Sequence, residues 1–158
     1  MKIASPFEGL HLPEALVCEF FAVFSRFEFT LKESGHTREN RVPLEPAWWP
    51  FAEKVDSYLA VQPGSDLANA IDYLTTDIPQ VQIRKDNWEA RPLHGATKVE
   101  RAIDAVTRVR NNLFHGGKHT PHSPAGRDEK LIRAALSVLY ACLEQNDNLR
   151  NTYEQNVF

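Results

Sequence analysis

The feature that most constrains the fold is one helical run. It ends in Arg110-Asn111-Asn112-Leu113-Phe114-His115-Gly116-Gly117. Thr97, with Glu100 three residues on, forms a capping-box pattern that opens the run. Val99, Ile103, Val106 and Leu113 then recur at spacings of four, three and seven, the stripe of a core-facing helix. Gly116-Gly117 supply the left-handed stop. Arg110 falls in the gap of that stripe, four after Val106 and three before Leu113, so a guanidinium occupies an aliphatic slot. A buried guanidinium needs an acidic partner or a bound anion. Asn111 and His115 are four apart and lie within about 40° of each other on the helix surface. Arg, Asn and His thus crowd the last turn and a half of one helix.

The rest of the chain reads as further helices. Pro13 opens the first in a favoured early position and Gly35 closes it, with Leu16, Phe20, Phe21, Phe24, Phe27 and Leu31 between. Its apolar girth is too wide for a monomer's surface helix, so it is either central or partly in a subunit interface. Val17, Phe21, Phe24, Glu28 and Leu31 form a stripe with the same rhythm as the Arg110 stripe, and Glu28 fills the matching slot. The spacing therefore predicts a Glu28–Arg110 pair, with Glu28 orienting the guanidinium. Residues 36–46 read as a polar loop, 47–61 as a moderate helix, and Ser65 or Asp66 as the cap of a short one. Around 79–93, Val81 and Ile83 alternate with polar residues, a partly extended excursion for which a loop tucked on the bundle is favoured over a strand. Residues 119–126 form a loop, 128–145 a last long helix with Leu131, Ile132, Leu139 and Tyr140 inward, and 146–158 a frayed extension. The expected fold is all-α: an antiparallel bundle of about four to five helices in a single domain, 1–158.

Composition bounds the partners. A net charge of −3 over 158 residues provides no global basic field, so a nucleic-acid site has to be a local patch. No apolar run approaches the ~18 residues of a membrane span, and the N-terminus lacks the apolar core of a signal peptide. Cys18 and Cys142 sit amid apolar neighbours, which reads as two reduced core thiols in a cytoplasmic protein.

Arg110-Asn111-x-x-x-His115 at the end of a bundle helix resembles the signature of the HEPN superfamily, all-α domains that include many metal-independent ribonucleases. Ser25-Arg26-Phe27-Glu28 with Leu31-Lys32, the run 109–118, Pro79, Trp88, and Leu131, Ile132, Ala135 and Leu139 of the last helix resemble a branch of small, often plasmid-borne bacterial HEPN proteins. The resemblance spans residues 16–143. It implies an endoribonuclease with Arg110, Asn111 and His115 as catalytic residues, no cofactor and no metal, acting on RNA in a toxin or anti-phage setting, with an antitoxin as a possible protein partner.

The chemistry of these residue types agrees. RNA carries its own nucleophile, the 2′-OH. An enzyme then needs a base, an acid for the leaving 5′-oxygen and a cation for the phosphorane. Imidazole exchanges protons near neutrality, and a planar guanidinium matches phosphate oxygens. One chain offers a single His on the motif helix, so a two-fold homodimer with a composite site near 110–115 is expected to supply the second.

Blander readings stand beside these. A helix-terminal His is favoured by the macrodipole alone. Lys118, His119 and Arg127 read as a small basic rim for a phosphate backbone, joined by Arg38 and Arg41, or as scattered surface charge. His115, His119 and His122 are spaced loosely like metal ligands, but the Gly-Gly break and Pro121 disfavour a site. Trp48 and Trp49 could be base-stacking platforms, though such residues are far more often core; the phenylalanines of the first helix are read as core and interface, and the roles of the two tryptophans stay open. The alternative function is a non-catalytic HEPN-like module that binds RNA, a nucleotide or a partner protein.

Overall fold

The computed structural model describes residues 3–115 and 123–155. Within them the chain forms six helices and one small hairpin, in the order α1 (Glu14–Glu33), α2 (Trp48–Tyr58), α3 (Asp66–Thr76), β1 (Val81–Arg84), β2 (Asn87–Glu89), α4 (Lys98–Phe114), α5 (Arg127–Glu144) and α6 (Asp147–Gln155). The fold is an all-α bundle with a short extended excursion.

Helix α5 is the centre. Ten of its residues, from Leu131 to Leu143, are buried, while Arg133, Tyr140 and Glu144 keep one strip of the helix exposed, and it packs against α1, α3, α4 and α6. So wide an apolar face has to be covered by several neighbours. The similar density of α1 has a different outcome. Leu16, Phe20, Val23, Phe24, Phe27 and Leu31 face the core, whereas Cys18, Phe21, Ala22, Ser25 and Phe29 face outward. The inward stripe is thus rotated from the expected one, and Phe21 is exposed. Cys18 is likewise exposed and only Cys142 is a core thiol, whose pKa burial pushes up to about 12. Tyr140 also turns outward, donating its hydroxyl to the Glu19 carboxylate at 2.9 Å.

Local signals set the helix ends. Ser65 Oγ accepts from Ala68 N–H, as expected of an N-cap, and Pro50 sits in the first turn of α2, where its missing N–H costs nothing. At α4, Thr97 Oγ1 accepts from Glu100 N–H at 3.2 Å. The Glu100 carboxylate reaches one residue past the usual partner, to Ala96 N–H at 2.7 Å. That reach needs Gly95: at φ +141 a Cβ there would lie 2.7 Å from Glu100 Cβ.

Residues 79–93 form a real hairpin, not a plain loop. Val81 pairs with Glu89 and Gln82 with Trp88, the register shifting before Arg84 and Asn87. Three polar side chains tie the excursion to the helices. Asn112 Nδ2 donates to Gln80 O at 2.8 Å. Arg108 donates to the carbonyls of Arg91 and Pro92 at 2.7 and 2.6 Å. Arg127 grips Asp77 and the Ile78 carbonyl.

The loop before α2 is anchored through backbone: His36 N–H donates to Leu31 O, and Ala47 N–H to His36 O, both at 2.8 Å. The half-buried His36 ring meets Phe51 edge-on at 5.4 Å. Burial, then the Lys54 charge, lowers its pKa below 6.5. The folded chain therefore binds fewer protons at His36 than the unfolded chain once pH falls below 6.5, so stability falls in that direction. Thermal melts of the wild type and His36→Gln should show a smaller acid-side loss in the variant. Parallel curves between about pH 7 and about pH 5 would exclude His36 as the cause.

Candidate functional site

The site is the C-terminal turn of α4 with the face of α1 that meets it. His115 is the C-cap; its backbone N–H donates to Asn111 O at 2.9 Å, and the residue is exposed. Asn111 is exposed one turn earlier, and its Oδ1 accepts from Arg110 Nη1 at 3.0 Å. Arg110 itself is half-buried. Its guanidinium carbon lies 4.9 Å from the Phe114 ring centroid and 5.6 Å from that of Phe24. Phe114 follows Arg110 by one helical turn and Phe24 comes from α1, so the fork rests on rings from two elements.

The expected Glu28–Arg110 ion pair is absent: among the described residues, no carboxylate lies within salt-bridge reach of Arg110. Aromatic packing is the reason. Trp48 stacks on Phe24 at 5.1 Å and on Phe27 at 5.7 Å. That places the indole N–H 3.1 Å from Glu28 Oε1, and the carboxylate satisfies the indole in preference to the guanidinium. Glu28 thus orients Trp48, which is partly buried and packs against the core. Glu28→Ala is expected to cost roughly 1–3 kcal/mol by orphaning that indole, and Glu28→Gln less than half as much. Equal, near-zero losses in urea melts would show that the bond contributes nothing.

Arg110 is therefore a cation held without a counter-charge among the described residues. Its Nε is buried with no hydrogen-bond partner, a donor whose desolvation costs about 1–3 kcal/mol. Ring contacts offset part of that. Nη2 makes no hydrogen bond to a described residue, which leaves one edge of the fork for a ligand.

No protein-family model, curated protein or solved structure matches the chain.

The other residues singled out in the sequence divide. Lys118 and His119 of the basic rim, with His122 and Gly116-Gly117, lie outside the described residues. Arg127 is engaged elsewhere: its Nε meets Asp77 Oδ1 at 3.0 Å and its Nη2 donates to the Asp77 and Ile78 carbonyls. It closes the end of α3 and so serves the fold. Arg38 pairs with Glu45 at 3.0 Å and, with Arg41, lines a cavity beside Trp48 and Trp49. Arg110, Asn111 and His115 fall within the last turn and a half of α4, with Asn111 and His115 exposed and Arg110 half-buried.

Two residues of the site were missed in the sequence, Phe114 and Phe21. Phe114 was open to inference, because i and i+4 side chains meet on a helix. Phe21 was hidden because its spacing places it on the inward stripe with Val17 and Phe24. No helix of the described residues is long and apolar enough to cross a membrane.

Proposed function

We propose that the chain is a metal-independent endoribonuclease of HEPN type, cleaving RNA by attack of the 2′-OH on the adjacent phosphorus. The observation that carries this reading is the Arg110 fork. It is cradled by two rings, set by Asn111, unneutralised by carboxylate among the described residues, and five residues before an exposed His115. In the reaction a base takes the 2′-OH proton, the new P–O2′ bond forms, and the P–O5′ bond breaks. An acid protonates the departing 5′-oxygen. The products are a 2′,3′-cyclic phosphate and a 5′-hydroxyl. Arg110 would bind a non-bridging oxygen through the Nη2 edge, where charge builds in the phosphorane. His115 would act as base or acid.

One copy supplies one such His on α4, so the reading includes a two-fold homodimer in which the two α4 ends share a phosphate. The outward face of α1, with Phe29 43% exposed beside Cys18, Ala22 and Ser25, is available for that contact. The cellular setting that goes with this family is a cytoplasmic toxin or anti-phage effector, with an antitoxin as restraining partner.

A second reading, a HEPN-like module that binds RNA, a nucleotide or a partner protein without catalysis, is favoured by the open surface around the three residues. The deciding experiment is incubation of purified protein with total RNA in EDTA beside a His115→Ala control. Binding without cleavage would select the second reading.

A further inference from the structure

Phe21 and Phe114 stand out among the phenylalanines. Phe20, Phe24, Phe27 and Phe51 are at most 2% exposed, whereas Phe21 is 54% and Phe114 42% exposed. Yet these two rings, from α1 and α4, stack on each other at 5.5 Å and 28°. Although each ring covers part of the other, about half of each residue stays open, and this open ring surface forms a shelf. Beside it lies a cavity of about 220 Å³ walled by Pro6, Phe7, Leu10, Val17 and Leu113 together with the two rings. Among the described residues its wall contains no charged side chain. At the shelf's edge stands the Arg110 guanidinium, 4.9 Å from the Phe114 ring and without an acidic partner among the described residues.

We propose that the Phe21–Phe114 shelf stacks the nucleobase that flanks the phosphate on Arg110, so that the substrate class is single-stranded RNA. This rests on the reading of Arg110 and His115 as a ribonuclease site. An aromatic wall with no charged side chain, next to a cation with no counter-charge among the described residues, has the make-up of a nucleotide site, matching a flat base joined to an anion. A partner helix docking on the same rings would leave Arg110 facing apolar side chains with its charge unanswered. Only unpaired nucleotides fit, because in a duplex both faces of each base are already covered by neighbours. Phe114 also carries Arg110, so a base on the shelf and a phosphate on the fork are placed by the same ring.

The test uses a single-stranded RNA oligonucleotide with a mapped cleavage position, its duplex, and versions abasic at each nucleotide flanking that position. For wild type, duplex formation is expected to abolish cleavage. One of the two abasic substitutions should raise KM about tenfold, the value of one base stack, with kcat changed far less. Phe114→Leu should raise KM to a similar degree, and that abasic position should then add no further loss. The non-additivity separates stacking from an effect passed through Arg110. Phe114→Trp keeps a ring and should bind at least as well, with indole fluorescence quenched by the single strand. It remains informative if the leucine variant does not fold.

Multiplying effects of the abasic site and Phe114→Leu would overturn the shelf. So would equal cleavage of duplex and single strand, or a dimer that becomes monomeric by light scattering in Phe114→Leu. The last result would assign the rings to a subunit contact. Binding of the labelled oligonucleotide to His115→Ala keeps the two ideas apart. Shelf-dependent binding without wild-type cleavage defeats catalysis alone, cleavage indifferent to the shelf defeats the shelf alone, and neither binding nor cleavage defeats both.

Discussion

Replacing His115 with alanine is expected to lower RNA cleavage by about 10²- to 10⁴-fold, the usual contribution of one positioned proton-transfer group. The stability of the chain should stay within ~0.5 kcal/mol, as for other exposed substitutions. Position argues for both halves. His115 is an exposed C-cap held by a backbone bond to Asn111 O, so its ring is not what fixes the end of α4. The same exposure leaves His115 open to a substrate. Wild-type cleavage is expected to be unchanged by EDTA, because the nucleophile belongs to the RNA and the proposed charge stabiliser is a guanidinium. Cleavage products should end in a 2′,3′-cyclic phosphate. Undiminished activity in His115→Ala, with unchanged melting, would remove His115 from the mechanism. Loss of activity together with a melting shift of several kcal/mol would show a structural role instead.

How much of this was legible in the sequence differs element by element. The helices were readable because caps and periodicity act locally: Ser65 and Thr97 both accept the N–H three residues on. The hairpin was harder. Val81 and Ile83 give only two apolar positions in β1, and its attachment depends on Asn112, Arg108 and Arg127, none of which is near it in sequence. The site was half legible. The placement of Arg110, Asn111 and His115 in the last turn and a half of α4 follows from helix geometry alone. The Glu28–Arg110 pair failed because matching charges in matching stripes says nothing about a third competitor. Trp48, twenty residues beyond Glu28, brings an indole N–H that the carboxylate satisfies. The rotation of the α1 stripe has a related cause. When both faces of a helix are apolar, the packing of α5 and α6 against it decides which one is buried, and that choice is not local. A misplaced Phe21 then hid the shelf it makes with Phe114.

Arg110→Met is expected to move stability and activity in opposite directions. The wild-type guanidinium has a buried Nε without a partner, and its compensation is confined to Asn111 and two phenylalanine rings. An unbranched apolar side chain of similar length fills the space between Phe24 and Phe114 and removes the orphaned donor, so the variant should be as stable as wild type or more so by about 1 kcal/mol. Cleavage should fall about 10²- to 10³-fold, the cost of deleting one donor to a developing oxyanion. Arg110→Lys retains the charge but loses the fork and its fixed seat on the rings, and is expected to recover only a minor part of the activity. A residue kept for packing would show the reverse, lower stability with activity intact. The same variant tests the shared site. Mixed with His115→Ala chains, Arg110→Met chains bring one imidazole and one guanidinium to a two-fold centre that each pure variant leaves with only one kind. Activity above that of either variant alone is the expected outcome. If mixing restores nothing and both proteins are monomeric by light scattering, the composite centre is excluded. A wild-type monomer that still cleaves RNA would leave Arg110 and His115 in place and remove only the second subunit.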